Sequence, residues 1–249
     1  MATWYRRAAE RGDYAARVLE AIEPRLRHCE TLLDVGAGCG ALAVPLARRL
    51  RAVTALEPSP AMAGELRAWA AETGLGNLTV VEGAWGVPVE PHDVVVCAHV
   101  GSLLRDPGFP RQAGRHARQL VVLVRDLAPA EADRDKFFFR ELYPILLGRP
   151  YPRRREPADP VAALRARGIH ADVTQISYRS DQPFADLEEA CEFWMTYLGR
   201  SDPGARAYLG AFLRERLVRL DGEWIAPFRK SAAVITWSAG PAPRGCLEK

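Results

Sequence analysis

Thr31-Leu-Leu-Asp-Val-Gly-Ala-Gly-Cys-Gly40 is the stretch that decides the fold. A short apolar run ends in glycines at alternate positions, Gly36, Gly38 and Gly40, and residues 41–50 behind them have helical spacing. Strand, glycine turn and helix in that order open a βαβ unit. Pro45 falls in the first turns of the helix, where proline does least damage. Glycines at such a turn let the backbone approach a ligand closely, and the helix N-terminus favours that ligand's negative part.

Outward from this turn the alternation continues. Residues 52–56 form a second strand, stopped by Glu57-Pro-Ser-Pro60, and 61–73 a helix that Gly74 ends. Strands follow at 78–81, 93–97 and 120–124, with a weaker helix at 109–118. Runs this uniformly apolar are buried on both faces, as in a parallel sheet covered by helices. Residues 4–27 read as a helical lead-in, broken at Gly12-Asp13 and Pro24. Past strand five the rhythm changes. Residues 131–147, with Phe137-Phe-Phe139, read as an extra helix, and 148–160, with Arg153-Arg-Arg155, as loop. Helix 161–167 and strand 170–178 resume the alternation. Two further helices follow. One has Asp186 and Glu189 as a capping box, with Leu187, Cys191, Trp194 and Leu198 on one face; the other starts at Asp202-Pro203, with Leu209, Phe212, Leu213, Leu217 and Leu220 inside. Residues 231–238 are a seventh strand. The expectation is one domain over 1–249. It has an N-terminal helical segment at 1–28 and two helical insertions, 127–156 and 181–221, forming a lid or substrate cap.

A chain of 249 residues with 48% hydrophobic and 26% charged residues is neither disordered, collagenous nor coiled coil. No apolar run approaches the roughly 18 residues of a membrane span, and none follows the N-terminal charges as in a signal peptide; the expected compartment is the cytoplasm. A net charge of +3 does not demand nucleic acid as partner. Five scattered cysteines, Cys29, Cys39, Cys97, Cys191 and Cys246, with no CxxC, read as reduced, mostly buried thiols.

Glu57 lies 21 residues after Gly36, at the end of the second strand. An acid there accepts hydrogen bonds from both ribose hydroxyls of an adenosine cofactor. Two cofactor classes fit. A dinucleotide would set its pyrophosphate over the glycines, and Gly36, Gly38 and Ala41 satisfy that looser spacing. Asp34 argues against it, being poorly placed beside a pyrophosphate and well placed beside an ammonium, a sulfonium or a bridging water. That favours S-adenosyl-L-methionine.

The chain resembles the class I S-adenosylmethionine-dependent methyltransferases over roughly residues 30–180 and 229–238. Leu33-Asp-Val-Gly-Ala-Gly-Cys-Gly40 resembles the family's first motif and Leu56-Glu-Pro-Ser-Pro60 its acidic second strand end. Val81-Glu-Gly-Ala-Trp85 stands at the adenine-edge motif, and Asp93-Val-Val-Val-Cys-Ala-His-Val100 at strand four and its loop. The resemblance implies a Rossmann-like α/β fold: a doubly wound, mostly parallel seven-stranded sheet whose last strand, Val234 to Trp237, runs antiparallel. It also implies cofactor contacts from Asp34, Gly36, Ala37, Gly38, Gly40, Glu57, Pro58, Ser59, Met62, Gly83, Ala84, Trp85, Ala98, His99 and Val100. One departure is the missing Asp in the 82–85 loop. Glu82 or the backbone at Ala84 and Trp85 takes its place; Trp85 either stacks on adenine or packs in the core.

Methyl transfer is an in-line displacement, so the protein mainly aligns the partners and excludes water. A base is needed only when the nucleophile arrives protonated. Ala98-His-Val-Gly101 is not the proline-rich loop of a DNA amino methyltransferase, and Cys97 lacks the proline of a C5-pyrimidine nucleophile. No paired glutamates and no metal-holding Asp follow strand four. His99 is the candidate base or acceptor-orienting group; the bland reading is a histidine bonded to the loop backbone. Arg125 and Asp126 share its rim, or form a surface pair. His28, His92, His116 and His170 fall at helix ends or loops. In the first insertion Phe137, Phe138, Phe139, Leu142, Tyr143 and Leu146 give an apolar face and Arg149 to Arg155 a basic flank. These suit an organic acceptor bearing carboxylate or phosphate, or make a docked structural helix with a solvated loop. By family analogy Trp4 and Tyr5 fold over the cofactor. The reading is a methyltransferase acting on a small-molecule methyl acceptor. The alternatives are RNA or protein methylation through 149–155, and a non-catalytic adenosylmethionine- or nicotinamide-nucleotide-binding protein.

Overall fold

The computed structural model describes residues 1–127, 136–152 and 160–239. In chain order α1 (Ala2–Arg11) and α2 (Tyr14–Ile22) lead into β1 (Thr31–Val35), α3 (Ala43–Ala47), β2 (Ala52–Glu57), α4 (Pro60–Glu72) and β3 (Leu78–Glu82). Then come β4 (His92–Ala98), α5 (Gly101–Arg105), α6 (Phe109–His116), β5 (Ala117–Asp126), α7 (Phe139–Leu147), α8 (Pro160–Arg165) and β6 (Asp172–Arg179). The remainder is β7 (Gln182–Phe184), α9 (Leu187–Leu198), α10 (Pro203–Arg216), β8 (Val218–Leu220), β9 (Glu223–Ala226) and β10 (Arg229–Ser238).

The main sheet has seven strands in the order β3-β2-β1-β4-β5-β10-β6, with β10 antiparallel to both neighbours. Its two faces carry separate cores, because side chains alternate along each strand. Leu32, Val94 and Val96 face α2, α3 and α4 through Ile22, Leu46 and Leu66. Leu33, Val95 and Cys97 face α6 and α8 through Phe109 and Leu164. This is the doubly wound arrangement, and the order reverses between β1 and β4, where ligands bind in open α/β sheets.

A third core lies beyond the main sheet, where α7, α9 and α10 pack with a small sheet of order β7-β9-β8. The helical reading of 181–221 therefore needs correction. Leu217 and Leu220 are not inside a helix: α10 stops at Arg216, and β8 turns into β9 through Asp221-Gly222, with φ of 53° and 84°. Two consecutive positive φ values make the tight hairpin turn that Asp-Gly favours. The reading of 131–147 as one helix is also corrected. Residues 128–135 lie outside those described, Lys136–Phe138 form a single 3-10 turn, and α7 begins only at Phe139. Phe137 and Phe138 have φ of 61° and 57°, left-handed values that no helix continues through. Helix α5 went unanticipated. His92 is not a loop histidine: it begins β4, is buried, and hydrogen-bonds Thr54 Oγ1 and the Glu90 carbonyl.

The two later helix starts follow their caps. Asp186 and Asp202 accept from Glu189 N and Ala205 N at 2.8 and 2.9 Å. Glu189 does not complete a capping box on Asp186; its carboxylate accepts from Ala185 N and from Arg7 and Trp4 of α1. Through these contacts α1 joins the two parts of the molecule. Arg6 pairs with Glu65 and Glu72 of α4, while Arg7 and Arg11 pair with Glu189 and Glu223 of the small module.

Candidate active site

Gly36, Gly38 and Gly40 all have positive φ, 73°, 58° and 98°. Their surroundings separate their tasks. A Cβ on Gly36 would stand 2.3 Å from Val100 Cγ2, and one on Gly40 2.3 Å from Leu66 Cδ1, so these two let the turn pack against the protein itself. A Cβ on Gly38 would meet nothing within 4 Å. Of the three, Gly38 is the one that offers its backbone to open space.

Glu57 closes the adjoining strand. One carboxylate oxygen accepts from Gly38 N at 2.8 Å and the other from Ser59 N at 2.9 Å. The Leu56 carbonyl accepts from Gly36 N and Ala37 N at 2.8 and 3.1 Å. The acid is thus aimed by main chain at the mouth of the turn, and each oxygen keeps a further lone pair. Pro58 continues this bend into α4, where Ser59 caps Met62 N. Asp34, one residue before the end of β1, is 2% exposed. Burial, with the Glu57 charge adding to it, pushes its carboxyl up to about 7, although a hydrogen bond from Ala43 N works the other way.

The end of β4 forms the facing wall. Ala98 pairs with Val124, and the chain turns through His99, whose φ is 59°. His99 N donates to the Val124 carbonyl at 2.8 Å, its Nδ1 lies 3.4 Å from Asp126 Oδ1, and its ring lies 5.3 Å from that of Tyr14. Asp126 therefore meets His99 across the rim. Cys97 is fully buried, and burial, with Asp34 adding, pushes its thiol well above the ordinary range, which leaves no thiolate for nucleophilic attack.

Other candidates fall elsewhere. Gly83 N donates to the Glu57 carbonyl, which keeps the 83–85 loop beside the acid. The Trp85 ring, however, is taken up by α6: it sits edge-on to Phe109 and His116 at 5.3 and 5.0 Å, and Nε1 donates to Gln112 Oε1. Trp4 packs 5.3 Å from Phe193, and Tyr5 hydrogen-bonds Tyr197, so both serve the small module. Phe137, Phe139, Leu142 and Leu146 are buried there too, which makes α9 and α10 the partners of that apolar face. Arg153, Arg154 and Arg155 lie outside the described residues. The aromatic that faces the site is one the sequence did not single out. Tyr14, the first residue of α2, sits between His99 and Tyr178, with ring centroids 5.3 and 4.8 Å away. Its only sequence signal is that it follows the break at Gly12-Asp13.

Residues 32–121, which hold the glycine turn, Glu57 and the His99 loop, match the family model described as a methyltransferase domain. The fold has solved counterparts. A Bacillus halodurans C-125 protein, described provisionally as a methyltransferase, is 18% identical with a TM-score of 0.55, over 92% of this chain and 99% of its own. The precorrin-6y C5,15-methyltransferase of Geobacter metallireducens is 13% identical at a TM-score of 0.51, over 90% and 86%. The magnesium protoporphyrin IX methyltransferase of Synechocystis PCC 6803, crystallised with S-adenosylhomocysteine, is 14% identical at 0.50, over 89% and 81%. No curated protein matches the sequence significantly. The matched region runs from β1 into β5, so the small aromatic module lies outside it. Among the described residues no helix is long and apolar enough to cross a membrane.

Proposed function

We infer that the protein transfers a methyl group from S-adenosyl-L-methionine to a nucleophilic atom of a small organic molecule. The observation that carries this is the mouth of the glycine turn, where open space above Gly38 meets the backbone-aimed carboxylate of Glu57 and the buried acid Asp34. These groups fit the cofactor. The remaining lone pairs of Glu57 suit a ribose diol, Asp34 suits an ammonium, and Gly38 admits a ligand against its main chain. A pyrophosphate beside two carboxylates would be repelled. Bound there, the cofactor supplies an electrophilic methyl carbon on a sulfonium.

The chain's own work is alignment and proton handling. His99, held by its backbone bond to Val124 and facing Asp126, stands at the acceptor side of the rim and takes the proton of an acceptor that arrives protonated. Asp126, 3.4 Å from Nδ1, orients the imidazole. Support for a small acceptor comes from the tetrapyrrole substrates named for two of the structural neighbours. Calorimetry tests the reading: S-adenosylmethionine and S-adenosylhomocysteine bind and NAD does not. NAD binding with no response to either sulfur ligand overturns it. Labelled methyl donor added to cell extract then identifies the acceptor by what the label enters.

A further inference from the structure

The Tyr14 hydroxyl is buried and is the one buried side-chain polar atom, among the described residues, with no hydrogen-bond partner. Such a group loses its water on folding and regains nothing from the protein, and native structures keep few of them. The fold holds this one in place deliberately. Gly12, at the α1–α2 joint, lies so close to β6 that a Cβ would stand 2.7 Å from the Arg179 carbonyl oxygen. Asp13 accepts from Arg179 N at 2.6 Å, so the start of α2 is pinned to the end of β6. Tyr14 then lies wedged between His99 and Tyr178. Strand register puts it at the site: Val35 pairs with Cys97, His99 is two residues on, and Val100 touches the glycine turn at Gly36. Its hydroxyl feels Tyr178, Asp34, Asp126 and Cys97, and burial first, then those neighbours, hold the proton on at any working pH.

We propose that Tyr14 is a binding residue for the amino-acid end of the methyl donor, its O–H donating to the carboxylate while Asp34 takes the ammonium. This rests on the cofactor reading above. An amino-acid zwitterion presents opposite charges two bonds apart, so a site that takes the ammonium on one buried acid needs a donor beside that acid for the carboxylate. Tyr14 is a neutral donor held there with its proton unused, and it leaves the adenosine part to Glu57 and the 83–85 loop.

Tyr14→Phe removes the hydroxyl and keeps both ring contacts. Two ligands read the result: S-adenosylhomocysteine, which carries the zwitterion, and 5′-methylthioadenosine, which lacks it. Tyr14→Phe is expected to weaken S-adenosylhomocysteine by about tenfold to a hundredfold, the scale of a hydrogen bond to a charged group. Methylthioadenosine affinity stays at the wild-type value. The ligand-free variant melts at or above the wild-type temperature, because it loses an unsatisfied polar group. Unchanged S-adenosylhomocysteine affinity overturns the proposal, as does an equal loss for both ligands, which marks a packing role. A variant that melts earlier without ligand also overturns it, since the hydroxyl is then a structural donor. Wild-type protein that binds neither ligand overturns the cofactor reading itself, and this assignment with it.

Discussion

Around Gly36–Gly40 the molecule is held by backbone. The Leu56 carbonyl, the Glu57 carboxylate and the Val124 carbonyl take N–H groups of Gly36, Ala37, Gly38 and His99, and the glycines bring loops within contact of Val100 and Leu66. Around Trp194 it is held by rings. Phe137, Phe138, Phe184 and Phe193 surround that indole at 5.0 to 6.1 Å, and Nε1 donates to the Phe137 carbonyl at 2.7 Å. Backbone bonds fix atoms to a few tenths of an ångström and leave a rim open to a ligand. Ring packing fixes a volume and fills it. The difference predicts that damage to the rim registers in binding, and damage to the ring cluster in stability.

The comparison is most exposed at Trp194. Trp194→Ala should cost about 3–5 kcal/mol of stability by emptying a fully buried ring site. Cofactor affinity of the folded fraction should stay unchanged; urea melts and calorimetry on one preparation check both. Gly36→Ala should come next, at about 2–4 kcal/mol, because it combines a left-handed φ with a Cβ 2.3 Å from Val100. Gly38→Ala meets only the φ cost of about 1–2 kcal/mol yet should lose S-adenosylhomocysteine. If the two glycine variants lose stability equally, the division between packing and ligand glycines is wrong. Glu57→Ala should weaken binding by about 1.5–3 kcal/mol, with the fold retained, since the carboxylate ends its strand.

Asp34 gives a pH-dependent version. Its folded value near 7 lies above the 3.8 of an ordinary carboxyl, so its stabilising contribution to the ligand-free protein is complete below 3.8 and is lost as pH rises through 7. An ammonium ligand favours the ionised acid and must displace that proton below pH 7. Affinity for S-adenosylhomocysteine should therefore fall toward tenfold per pH unit as pH drops from 7 to 5, with proton release seen by calorimetry in two buffers. A flat profile removes Asp34 from contact with the ammonium. The smallest effect belongs to α1. Arg7→Ala opens the partly buried pair with Glu189 and should cost about 1 kcal/mol, leaving binding alone unless α1 also sets the position of Tyr14.

The order of elements, the doubly wound sheet and the glycine turn with its acid were legible because their signals are local. A strand buried on both faces must be apolar at every position, a left-handed turn demands glycine where it occurs, and Glu57 follows its strand directly. Asp221-Gly222 carried a local hairpin signal as well, although the helical spacing before it obscured the strand pair. What the sequence left open depended on partners far along the chain. Trp4 and Tyr5 were aromatics near an N-terminus, and only packing against residues 185 and 192 positions away turned them from the site toward the small module. Tyr14 stands beside His99 instead, because Gly12 and Asp13 dock on Arg179, a contact 166 positions long. An amphipathic helix states that it has a buried face. Which surface receives that face is settled when the sheet has brought its strand ends together, and here that step alone brought Tyr14, His99 and Asp126 together at one rim.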